Sequence, residues 1–178
     1  FFDYVAGGSA HGRQKGGLTP FGRAVVRRVA QKKMILDLAH ASGQTIEDTL
    51  AIATAPVVVS HTGVRGVCDN QRNISDDHVR AIAATGGLIG IALFEQTVCG
   101  RTIEDTARAM HYVADLVGVD HAALGSDYDG AVTVPMDCSG LALLTEALLW
   151  QGFTAEEAGK IMGGNVLRLL QSALPDQD

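Results

Sequence analysis

The 178-residue chain has no stretch approaching 18 consecutive apolar residues, so no part of it reads as a transmembrane helix. It also lacks a stripe of lysine and arginine. With 14 basic against 20 acidic side chains and a net charge of −6, nucleic acid is not an expected partner. The three cysteines, Cys68, Cys99 and Cys138, form no C-x-x-C pair, so a cysteine-type structural zinc site is not expected. Their odd number leaves at least one thiol free or paired outside the chain. No low-complexity segment or internal repeat stands out. There is no initiator methionine and no signal-peptide pattern, and a start within FFDY reads as a cut through a longer protein. The compartment is therefore open; the chain reads as soluble, with the cytoplasm preferred over secretion or membrane anchoring. Hydrophobic residues make up 47% and charged residues 19%, which fits one globular domain with a real core.

Helix and strand signals alternate along this domain. After a glycine-rich loop over 7–17, Thr19 and Pro20 open a helix whose apolar residues Phe21, Ala24, Val25 and Val29 follow helical spacing. A strand MILDLAH over 34–40 follows. A second helix is predicted from Thr45, then the strand VVVSH over 57–61. Ser75 caps a third helix that Gly86-Gly87 stops, ahead of the strand LIGIALF over 88–94. Thr102 opens a longer helix to about Val117, and AALGSD over 122–127 is the fourth strand. A helix near 140–151, a Thr154–Glu157 capping box and a break at Gly163-Gly164-Asn165 complete the chain. Four helix–strand units with short apolar strands imply a parallel sheet covered by helices, with its strand ends gathered on one side. A full (β/α)₈ barrel takes ~250 residues, so four units amount to about half of one.

Three of these strands end in a side chain that binds metals or protons: His40, His61 and Asp127. In barrels and open α/β sheets the C-terminal strand ends carry the chemistry. Strand ends one crossover apart lie side by side, so the two imidazoles are placed to share one metal ion of the zinc type. The alternative is that each histidine merely caps a strand by hydrogen-bonding a loop. Asp127, in GSDYDG, is placed to contact metal, take a proton or hold a substrate amine, against a plain turn role; Asp129 is the weaker candidate. Arg72, in the loop after the second strand, has the fork geometry for a substrate carboxylate, against simple solvation. His11, His78, His111 and His121 read as solvated or structural.

The stretches GGLTPFGRAVVRR, ILDLAHAS, APVVVSHT, RNISDDHVRAIAATGGLIGI, VGVDHAALGSDYDG and GGNVLRLL together resemble the membrane (renal) dipeptidase family, zinc peptidases with an amidohydrolase-type barrel. They run in order across essentially the whole chain, with the family's spacing of 21 between the two strand-end histidines. The resemblance implies a (β/α)₈ TIM-barrel fold, with residues 1–178 as the C-terminal part of one metallo-dependent hydrolase domain. It implies that His40 and His61 bind the second zinc of a two-zinc site. Arg72 would hold the free carboxylate of a dipeptide, and Asp127 would serve substrate binding and proton handling. Cys68 and Cys99 match positions that form a disulfide in animal members of the family. Its first zinc needs a His-x-Asp pair, and a glutamate bridges both metals; neither has a counterpart in this sequence. A further substrate-contacting histidine would fall one residue before Phe1.

The implied activity is zinc-dependent hydrolysis of dipeptides in an intact parent, with this chain alone inactive. Two other readings stand beside it. One is another amidohydrolase-type hydrolase acting on amides or esters. The other is a non-catalytic half-barrel whose open sheet edges favour a homo-oligomer or a docked partner.

Overall fold

A computed structural model of the chain describes residues 4–10 and 16–174. Helix α1 spans Pro20–Gln31, and the Thr19 hydroxyl accepts a hydrogen bond from the Gly22 amide at 3.0 Å, capping it as its sequence predicts. Its buried face carries Gly22 and Val26, whereas Phe21 is exposed. Gly22 is needed because a Cβ there would sit 2.0 Å from the Val5 carbonyl oxygen.

The first strand is far shorter than MILDLAH. Strand β1 is Leu36–Asp37, Met34 is exposed, and His40 lies in a turn beyond the strand. Helix α2, Gly43–Leu50, begins earlier than expected. Its cap is Ser42, whose Oγ accepts from the Thr45 amide at 3.1 Å. Thr45 instead points its hydroxyl at the Gly7 carbonyl, 2.8 Å away, and holds the N-terminal segment. Strand β2, Val57–Thr62, helix α3, Asp76–Ala84, and strand β3, Leu88–Ile91, follow. Residues 92–94, expected to extend β3, instead lead into a short helix α4, Glu95–Val98. Its cap position is Phe94, which makes no side-chain capping bond, so no polar cap residue marks its start. Helix α5, Ile103–Val117, carries a full Thr102–Asp105 capping box and leads through a single turn to β4, Ala122–Leu124. Helices α6, Leu141–Trp150, α7, Ala155–Gly159, and α8, Asn165–Ala173, close the described chain. The break expected at Gly163-Gly164 is present: Gly163 leaves the helical region with φ 159° and ψ −23°, and residues 160–164 form a kinked π-type turn between α7 and α8.

The four strands pair in chain order, β1-β2-β3-β4, and every pair is parallel. Val57, Val59, Ile89, Ile91 and Ala122 form the sheet's share of the core. Ile82 of α3, Met110 of α5, and Leu144 and Leu148 of α6 cover it. Burial of these side chains, at ~25 cal/mol per Å² of apolar surface, is what holds helices to sheet. Asn165 fastens α8 to β4: its amide donates to the Val119 and Ala122 carbonyls at 2.8 and 2.9 Å. His121 fills a structural role, its Nδ1 lying 2.8 Å from the Gly87 carbonyl oxygen. Among the described residues β1 and β4 each pair on one side only. Leu143, Leu149 and Trp150 on α6 and Leu167 and Leu170 on α8 face solvent.

Candidate metal and substrate site

The C-terminal ends of β1, β2 and β4 bring His40, His61 and Asp127 together. His61 belongs to β2 itself. His40 reaches the same place from the turn after β1 with a left-handed backbone, φ 63°, and its carbonyl accepts from the Ser9 amide at 2.7 Å. The two Nε2 atoms lie 2.9 Å apart, and the rings meet edge-on with centroids 4.9 Å apart. Asp127 also has a left-handed backbone, φ 62°, and its Oδ1 is 4.0 Å from His61 Nε2. Gly130 makes room for this carboxylate, because a Cβ there would lie 2.3 Å from Oδ1. Gly90 and Gly125 let β3 and the end of β4 close on the Ser60 carbonyl, where a Cβ would come within 2.1 and 2.0 Å.

Arg72 comes from the loop after β2. Its Nη2 donates to the His61 carbonyl at 2.8 Å, so the guanidinium braces the strand end that carries the histidine. The loop is fixed in turn by Asn70, whose side-chain oxygen accepts from the Arg72 amide at 2.9 Å. Buried Asn73 donates to the Cys68 and Thr97 carbonyls at 2.7 and 2.9 Å. A disulfide joins Cys68 to Cys99 across a separation of 31 residues, tying this loop to the end of α4. Cys138 is free and exposed. Sequence patterns pointed to none of the asparagine contacts, since loop asparagines carry no spacing signal. His40, Arg72 and Asp127 share a cleft of about 690 Å³ with Asn70, Phe94 and Gln96.

The electrostatics favour a neutral imidazole at His40. Burial lowers its pKa from the usual 6.5, and the Arg72 cation and His61 push the same way against Asp127 and Asp37. Burial likewise holds Arg72 below the ordinary arginine value, with Asp127 and Asp37 opposing; a guanidinium stays charged regardless. The remaining histidines lie apart from this cluster. His78 sits 3.3 Å from Glu47, and His111 pairs with Asp115 on α5 at 3.0 Å. Asp129 is exposed in the turn, and His11 lies outside the described residues.

The sequence model of the family described as membrane dipeptidase, peptidase family M19, matches residues 5–175. The chain belongs to the membrane dipeptidase family. Among curated members of known name, mouse dipeptidase 3 is 32% identical over 161 residues, covering 87% of this chain and 33% of the mouse protein. Dipeptidase aclJ of Aspergillus oryzae is 34% identical over 163 residues, covering 87% of this chain and 39% of its own. A metallopeptidase from Rhodobacter sphaeroides, solved with a phosphinate mimic of the dipeptide L-Ala-D-Ala, superposes with a TM-score of 0.84 and 27% identity. That match covers 89% of this chain and 48% of the solved one. The chain thus spans between a third and two fifths of the curated relatives and about half of the solved structure. Its four-stranded sheet corresponds to about half of a TIM-barrel-type dipeptidase fold.

Family membership implies a metal, and the residues present fit one in part. Two imidazole nitrogens on a tetrahedral ion, at Zn–N of ~2.0–2.1 Å, lie ~3.3 Å apart. The 2.9 Å between His40 and His61 is within a few tenths of an ångström of that. Among the described residues, however, no group of three or more His, Cys, Asp or Glu side chains is arranged to hold an ion. In this member of the membrane dipeptidase family the described residues bring together two imidazole nitrogens, those of His40 and His61.

Proposed function

We propose that this chain contributes one metal seat and the carboxylate-binding arm of a zinc-dependent dipeptidase. The observation that carries the reading is the facing pair of Nε2 atoms, with Arg72 and Asp127 lining the same cleft as His40. Zinc held there would supply an activated water and polarise the scissile carbonyl. The chain's own residues do the rest. Arg72 spends one N–H on the His61 carbonyl and has further donors for a substrate carboxylate, which selects peptides that end just after the cleaved bond. Asp127, fixed on its tight turn beside His61, takes the proton of the attacking water and returns it to the leaving amine. The Cys68–Cys99 disulfide supports an oxidising compartment over the cytoplasm expected from the sequence.

Dipeptide hydrolysis by a protein carrying both barrel halves tests the reading. Arg72→Ala is expected to raise KM for dipeptides at least about tenfold, by loss of a charged hydrogen bond of ~1.5–3 kcal/mol. An unchanged KM in a normally folded variant removes Arg72 from substrate binding. The 178-residue chain alone is expected to show no turnover above a metal-only blank.

A further inference from the structure

A side chain outside the His40–His61 pair and the cleft ties together the two strand ends that carry these histidines. In the β1–β2 ladder the Leu38 amide donates to the Val58 carbonyl at 2.8 Å, and the next rung of a parallel pair would run from the Ser60 amide to the Leu38 carbonyl. That rung is missing. The Leu38 carbonyl instead accepts from the Ala41 amide at 3.0 Å, closing the turn that carries His40. The Ser60 amide is taken by Asp37 Oδ1 at 3.0 Å, and the same oxygen accepts from the Ala39 amide at 2.9 Å. One carboxylate oxygen thus holds the residue before His40 and the residue before His61.

The Ser60 side chain extends the arrangement, because its Oγ lies 2.8 Å from His61 Nδ1. With the proton on Nδ1 donated to Oγ, the Nε2 lone pair is left facing His40, the tautomer a metal ligand needs. We propose that Asp37 is the positioning residue of the histidine pair, a clasp that sets the gap between the two Nε2 atoms with Ser60 as its arm to the His61 ring. The clasp itself rests on the hydrogen bonds; only its consequence for metal rests on the function proposed above.

The test uses the 178-residue chain and two readouts. The first, on metal-free protein, is ring-to-ring nuclear Overhauser contact and the imidazole ¹⁵N shifts of His40 and His61. The second is calorimetric titration with zinc alone. Asp37→Ala is expected to abolish the ring contact, move both imidazole signatures and weaken zinc by about 10–100-fold, as for other partners of metal ligands. Amide signals outside 37–41 and 58–62 stay in place. Asp37→Asn keeps an oxygen able to accept both bonds, so the ring contact returns and the affinity loss stays under about tenfold. Asp37→Glu carries the same charge on a longer arm and is expected to behave as alanine does, which decides the matter if the alanine variant does not fold. Wild-type ring contacts and shifts in the alanine or glutamate variant overturn the clasp. Altered rings in a chain whose wild type binds no zinc leave the clasp standing and reject the metal seat instead.

Discussion

Zinc affinity of the His61→Ala chain is expected to fall by more than ~100-fold, beyond the range seen when only a ligand's supporting partner is lost. On the proposed reading the seat is the His40 and His61 Nε2 pair, 2.9 Å apart, and no group of three or more ligating side chains is found among the described residues. Removing one therefore leaves a single imidazole, no better than a surface histidine. His40→Asn, which keeps the left-handed turn, is expected to match it, and the double variant to add nothing, because neither nitrogen chelates alone. Calorimetric titration at neutral pH reads all three. The pH dependence has a definite sign. Protons compete with metal for imidazole nitrogen, so affinity falls as pH falls. Because burial and Arg72 depress the His40 pKa below 6.5, protonation of this ligand begins at lower pH than for a free imidazole. Wild-type affinity in either single variant would show that the metal is held elsewhere.

The largest expected effect on stability is at Asn73. Asn73→Asp is nearly isosteric, but it turns a buried amide that donates to the Cys68 and Thr97 carbonyls into a carboxylate facing two acceptors. An uncompensated buried charge costs about 3–5 kcal/mol. For a domain of this size that lowers Tm by roughly 6–20 °C. The same substitution makes stability respond to acid in a way opposite to most carboxylates. The folded form raises the new aspartate's pKa, so the native state binds more protons than the unfolded chain. Stability then rises as pH falls through the raised folded-state value and levels off near the unfolded value of ~4, because the protonated acid is a donor again. Melting curves at pH 5 and pH 7.5 check this: the deficit relative to wild type shrinks at the lower pH. A Tm within about 2 °C of wild type at both would mean that Asn73 does not hold the loop.

Sequence periodicity located most of this fold because helix starts carry polar caps. Thr19, Ser75, Thr102 and Thr154 each accept from an amide at the helix start. Where the cap was ambiguous or absent the sequence misled. Ser42 and Thr45 are both competent hydroxyls, and only the nearby Gly7 carbonyl decides between them. The four-residue α4 has a phenylalanine at its cap position and no periodicity to detect. The convergence of His40, His61 and Asp127 at the strand ends was legible, since the three side chains do meet, but the length of β1 was not. MILDLAH is apolar enough to be a strand, yet the Asp37 carboxylate takes the rung that would have continued the ladder. Such a side-chain replacement leaves no trace in an apolar pattern, and neither does the brace between Arg72 and the His61 carbonyl.

His40 and Asp127 sit at φ 63° and 62°, in a region that excludes most side chains. Histidine, aspartate and asparagine are among the few non-glycine residues that tolerate it. Truncation to alanine at either position therefore changes two things at once, the functional group and the ease of making the turn. A loss of activity on alanine scanning would not separate them. Asparagine keeps the backbone preference while removing the imidazole or the charge, so it is the substitution whose effect can be assigned to chemistry. The same restriction narrows the drift open to these sites: valine, isoleucine and threonine are barred by the chain's own geometry before any question of ligand chemistry arises.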